Sequence, residues 1–233
     1  ALRRVHPRTL RKVLAEHGVR DEERQTEWIT ALRAAPALPE DAALIEPQAA
    51  YAQYLARSLQ ERARTIRQFE GDIAAATALH PDADLFRALP GAGNALVPRM
   101  IAAFGSDRDR YQSADEVQSL SGIAPVTVQS GKSRHVKRRR ACPRFLRQTF
   151  HEFADQTRKW SRWSRAWYDD KRAAGMGHQA AVRALAYKWI RIIYRLWKNR
   201  EIYSEERYIE ALIHSGSPLA EMLRSPENPL ATT

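Results

Sequence analysis

Between Pro47 and Ala78, Ala52, Leu55, Leu59, Arg62, Ile66, Phe69, Ile73 and Ala76 recur at alternating spacings of three and four. This is the seam of a heptad repeat with one arginine in it. It predicts a helical arm over residues 47–80, either a coiled coil with another chain or an amphipathic helix laid on its own domain. Residues 1–46 read as short helices and a connector. Thr9 can cap "LRKVLAEHG", Gly18 can stop it, Asp21 can cap "EERQTEWITALRAA", and "PALPEDAALIEP" is punctuated by proline.

Residues 81–214 read as a helical C-terminal domain and residues 215–233, rich in Ser, Pro and Asn, as a fraying tail. In "HPDADLFRALPGAGNALVPRMIAAFG" two helices meet at Pro90-Gly91-Ala92-Gly93. Glycines at such a corner let a phosphate approach the backbone, as in a helix-hairpin-helix element; a plain helical hairpin has the same pattern. Ser113 can cap "ADEVQSLSG". Val126 and Val128 then alternate with polar residues before Ser130-Gly131, a short extended or β segment with turn chemistry. Two long helices follow. One runs over 143–173, with Leu146, Phe150, Phe153, Thr157 and Trp160 on one face. The other runs over 178–199, with Ala181, Leu185, Ile192 and Leu196 inward. Most of the tryptophans on these helices read as packing residues. The fold class is therefore mainly α: a coiled-coil arm, then a helical domain with a helix-hairpin-helix element and a short β segment.

Composition adds a partner. The 233 residues carry a net charge of +11, with pI near 10.1 and mean hydropathy -0.56. So much uncompensated positive charge points to a polyanion, with nucleic acid ahead of an anionic membrane surface. No apolar run reaches the ~20 residues of a spanning helix and no secretory core opens the chain, so a cytoplasmic, nucleoid-associated protein is expected. A lone cysteine, Cys142, excludes an internal disulfide, and the scattered histidines lack ligand spacing. No metal or other cofactor is expected in this chain.

The charge is concentrated. From Glu116 to Glu152 no acidic residue intervenes, while Lys132, Arg134, Lys137, Arg138, Arg139, Arg140, Arg144 and Arg147 are all cationic. This segment is the candidate phosphate-binding surface. The Gly131-Lys132-Ser133 inside it is no P-loop, because the glycine required five positions earlier is Val126. Ser130 or Ser133 could attack phosphorus only with a base to take the hydroxyl proton and cations to offset the developing charge. The arginines meet the second need. The first is unidentified: His135 is near but serves equally as a phosphate contact, and serines beside glycine also serve simply as turn residues.

"LFRALPGAG", "LSGIAPVTVQSGKS", "RRRACPRFLRQTFHEFA" and "AAVRALAYKWIRIIYRLWKNREIY", in that order, closely resemble the C-terminal transposase domain of the IS-one-ten/IS-eleven-eleven insertion-sequence family. The resemblance runs from about Leu85 to Leu212, and "VHPRTLRKVL" with the arm resembles the family's middle segment. It implies a recombinase that moves a DNA element under the direction of a structured guide RNA. It also implies an N-terminal RuvC-like domain whose acidic quartet binds Mg2+, a coiled coil that assembles a homo-oligomer through residues 47–78, and a serine that links covalently to DNA. The position matching that serine is Ser130. Lys132 and Arg134 would then hold the scissile phosphate, and Lys137, Arg138, Arg139, Arg140 and Arg144 the flanking backbone, with Gly91 and Gly93 in a second contact. The chain departs from the family in lacking the β-rich N-terminal domain. Asp107, Asp109, Asp115, Glu116, Asp169 and Asp170 read as turn, cap and ion-pair residues. The chain is therefore expected to be the C-terminal part of a recombinase, binding DNA or RNA alone without completing strand exchange. The alternative is a non-catalytic module for nucleic-acid binding and oligomerisation.

Overall fold

The computed structural model describes residues 5–36, 42–131 and 133–224, and it divides into two compact units, Ala1–Ile66 and Arg67–Thr233. Lys132, much of the proline-rich connector and residues 225–233 of the expected tail lie outside the described residues.

In the first unit, α1 (Pro7–Glu16) and α2 (Glu22–Ala34) form a hairpin that buries Leu10 and Ile29. Asp21 caps α2 as expected, its Oδ1 accepting from the Arg24 amide at 2.7 Å. Thr9 does not cap α1. Pro7 starts the helix two residues earlier, where a missing N–H costs nothing, and His6 is the cap. The arm is α3 (Ala42–Ala78), which begins before the expected position and carries Pro47 within it. Along α3 the seam residues Leu55, Leu59, Ile66, Phe69 and Ile73 are 42–65% exposed.

The second unit is an α-helical domain with one small sheet. Its elements are α4 (Ala83–Arg87), α5 (Leu96–Phe104), α6 (Ala114–Leu120), β1 (Pro125–Ser130), β2 (Ser133–Arg138), α7 (Arg144–Trp160), α8 (Arg162–Ala173), α9 (His178–Asn199), α10 (Glu205–His214) and α11 (Pro218–Arg224). α9 lies at the centre, against α6, α7 and α8. It buries Ala181, Leu185 and Leu196 as expected, together with Val182, Trp189, Ile193 and Trp197, whereas Ile192, expected inward, is only half-buried. Two aromatic groups fill the core around it. Phe104 packs against Phe86, Tyr111, Phe150 and Trp197; Trp189 packs against Phe153, Trp163 and Tyr203. Each buried indole finds an acceptor: Trp163 donates to the Tyr203 hydroxyl, Trp189 to Ser164 Oγ and Trp197 to the Gly105 carbonyl.

Three expectations change. The helix over 143–173 is two helices, because buried Ser161 is extended (φ -128°, ψ 123°), accepts from the Ser164 amide to cap α8, and donates to Glu205. Trp160, the last residue of α7, is 67% exposed instead of continuing the buried face. The tail is not frayed over 218–224: α11 packs on α8 and α10 and buries Leu219, Ala220 and Leu223.

Candidate nucleic-acid interface

β1 and β2 form an antiparallel hairpin that pairs Pro125 with Arg138, Val126 with Lys137, Thr127 with Val136, Val128 with His135, Gln129 with Arg134 and Ser130 with Ser133. Gly131 opens the two-residue turn with φ +55°, the left-handed conformation that hairpin turns of this length require. Alternation places Val126, Val128 and Ser130 on one face with Ser133, His135 and Lys137. Ser130 is therefore the last strand residue before the turn and is exposed. Among the described residues its hydroxyl has no hydrogen-bond partner, whereas Ser133 Oγ lies 2.7 Å from His135 Nε2. His135, the histidine near Ser130 in sequence, is thus engaged by the neighbouring serine on its own strand.

Arg134 and Arg138 are positions of β2 paired with Gln129 and Pro125. Lys137 and Arg140 are exposed, Arg139 is half-buried, and Arg144 is exposed at the first position of α7. The base of the hairpin is pinned by close packing. A Cβ on Gly122 (φ +70°) would stand 2.3 Å from Cys142 Sγ, so glycine before β1 allows the chain to touch the segment after β2. Arg147 Nη1 donates to the same sulfur at 3.3 Å.

Gly91 and Gly93 lie in the turn between α4 and α5. Gly91 takes φ +76°, and a Cβ there would meet Trp160 Cδ1 at 2.9 Å; Gly93 has open space around it. The Leu96 and Val97 amides already donate to the Gly93 carbonyl at 2.9 and 3.1 Å. The packing on Trp160 thus accounts for Gly91 within the protein itself. Exposed Trp160 places an indole beside the turn.

A feature missed in the sequence lies at the other side of α7. Ile123, Arg147, His151, Glu152, Gln179 and Arg183 line a cleft of about 360 Å³. Burial, with the Arg183 charge beside it, lowers the His151 pKa below the usual histidine value despite a hydrogen bond to the Gln179 backbone. Burial acts to raise the Glu152 carboxyl, but hydrogen bonds from Gln148 and Arg99 outweigh it and leave its pKa lowered. The only sequence signal was the one-turn spacing of Arg147 and His151.

Among the described residues no three His, Cys, Asp or Glu side chains come together to hold a metal ion. The acidic residues are engaged locally: Asp107 accepts from the Asp109 amide, Asp109 pairs with Lys198, Asp169 with Arg165 and Asp170 with Lys171. No helix among the described residues is long and apolar enough to cross a membrane.

The site is thus a basic hairpin on a mainly helical domain, with a serine beside its turn. Residues 83–169, from α4 into α8, match the family described as Transposase IS116/IS110/IS902. The IS900 uncharacterized 42 kDa protein of Mycobacterium paratuberculosis is 32% identical over 125 residues, 53% of this chain and 31% of that protein. A candidate mini-circle transposase for IS117 from Streptomyces coelicolor is 28% identical over 138 residues, covering 59% and 33%. The IS110 uncharacterized 43.6 kDa protein of the same species is 28% identical over 150 residues, covering 64% and 37%. The chain thus spans about a third of the length of the curated relatives it matches.

Proposed function

We propose that this chain is the DNA-binding, nucleophile-bearing part of an insertion-sequence transposase, a recombinase directed by a structured guide RNA and acting through a serine-DNA intermediate. The observation that carries the reading is the position of Ser130: exposed, at the tip of a cationic hairpin, inside the segment that matches the transposase family. Ser130 Oγ attacks phosphorus and its proton passes to a base. The P–O bond to the departing sugar oxygen breaks, and that oxygen leaves with a proton. Lys132 and Arg134 balance the charge that gathers on the phosphoryl oxygens. Lys137, Arg138, Arg139, Arg140 and Arg144 hold the flanking backbone, and the Gly91–Gly93 turn makes a further backbone contact. Assembly runs through the exposed seam of α3, and magnesium belongs to a RuvC-like domain outside this chain. By itself the chain binds without completing strand exchange.

One observation favours a second reading, a binding module without chemistry: His135 is hydrogen-bonded to Ser133, and no described base touches Ser130. The two readings separate on paired variants. Arg139→Ala with Arg140→Ala weakens duplex DNA binding and lowers the salt slope by about 0.9 for each phosphate no longer neutralised. Ser130→Ala leaves binding by this chain intact but abolishes the covalent adduct in the intact transposase. An adduct that survives Ser130→Ala leaves only the binding module.

A further inference from the structure

Lys188, Arg191 and Arg195 follow one another on α9 at spacings of three and four, so they form a single stripe. α10 folds back beside it and adds Arg207. Together these cations border a groove of about 440 Å³ floored by Ile192, Tyr203 and Tyr208. Glu201 is the one carboxylate in its lining among the described residues. The nearby Glu205 is taken by Ser161 and the Trp163 amide, and Glu206 by Ser204. Among the described residues none of the four cationic side chains has an ion-pair or hydrogen-bond partner. Burial first, then the charges of Arg191 and Lys171, lowers the Lys188 pKa. Like charges are thus held together at an energetic cost that a bound anion would relieve.

We propose that the groove between α9 and α10 is a second nucleic-acid site, which holds the phosphodiester backbone of one strand across Lys188, Arg191, Arg195 and Arg207. The stripe is about 10 Å long at 1.5 Å per helical residue. A stripe of that length can meet two or three successive phosphates of an extended single strand. A groove of this volume has room for one or two nucleotides of a strand. The arginines meet phosphate oxygens while Ile192 and the parts of Tyr203 and Tyr208 not packed on Trp189 and Trp163 face the sugar or base. A purely anionic small ligand would leave this apolar floor unused. The site goes beyond the hairpin reading, because it requires no chemistry at Ser130.

The test uses this chain with 20-nucleotide single strands of one sequence, as DNA carrying 4-thiothymidine and as RNA carrying 4-thiouridine. Binding is followed by fluorescence anisotropy over a salt series, and photo-crosslinked peptides are mapped by mass spectrometry. Expected are a crosslink within 192–208 and, for Arg191→Gln with Arg195→Gln, loss of that crosslink with a roughly tenfold weaker affinity and a salt slope smaller by about 1–2. Arg191→Lys with Arg195→Lys should retain the crosslink. Crosslinking with one strand type alone assigns the groove to DNA or to RNA. The same loss should appear on top of Arg139→Ala with Arg140→Ala, since the hairpin is a separate surface. No crosslink in 192–208 with either strand, or an affinity unchanged in the double glutamine variant, overturns the site. Neither outcome bears on an adduct at Ser130.

Discussion

Arg108 spreads its guanidinium 4.8 Å from the Trp197 ring and turns two nitrogens to the carboxylate of Asp82. Both partners are largely buried, at 15% and 8% side-chain exposure. Removing one leaves the other charged and dry, so Asp82→Ala is expected to lower stability by about 3–5 kcal/mol, read from denaturant midpoints. Replacing both with apolar residues should cost far less. Gly122 gives a second prediction. Alanine there combines a positive φ with a collision against Cys142 Sγ, so Gly122→Ala should destabilise the fold and loosen the hairpin base, seen as faster hydrogen exchange in β1 and β2. His151 is a pH sensor for stability. Its pKa is lowered in the fold, so below about 6.5 the unfolded chain binds more protons than the native one. Stability therefore falls as pH drops from about 6.5 towards the lowered value, and His151→Gln should flatten that dependence in unfolding curves taken at pH 7 and pH 5.

At the scale of elements, much was legible in the chain. Asp21 and Ser113 cap the helices they were expected to cap, because an Asx or Ser oxygen three residues before a helical amide is a local, short-range arrangement. α9 begins and ends where its apolar stripe does. The hairpin follows from alternation and a glycine at its turn. The break at Ser161 was hidden, since the helical spacing runs on through it; the interruption rests on the contact from Glu205, 44 residues away. The α9–α10 groove was hidden for the same reason: Lys188, Arg191 and Arg195 stand out only once α10 brings Arg207 and Tyr208 beside them. The α3 seam makes its own prediction. Leu59 and Ile66 are 65% and 55% exposed. If a second copy covers them, Leu59→Asp with Ile66→Asp yields monomers in sedimentation velocity without a loss of helicity, because neither side chain is buried in the chain itself. An unchanged sedimentation coefficient would rule out assembly through this seam.

For the molecule as a whole, a charge of +11 is distributed so that the sequence from 117 to 151 holds no acid and the cations of the α9 stripe make no ion pair among the described residues, while Asp82, Asp109, Asp155 and Asp169 neutralise cations elsewhere. Net charge alone predicts attraction to any polyanion; this distribution predicts oriented binding, with Ser130 brought to a phosphate rather than to a random part of the strand. The direct measurement of that claim combines the intact transposase, element-end DNA, guide RNA and magnesium, followed by denaturation and mass-spectrometric mapping of any protein-DNA adduct. A phosphoserine linkage at Ser130, absent in Ser130→Ala, is the predicted result. An adduct at another residue, or salt-sensitive binding with recombination but no adduct, would contradict the assignment of Ser130 as nucleophile.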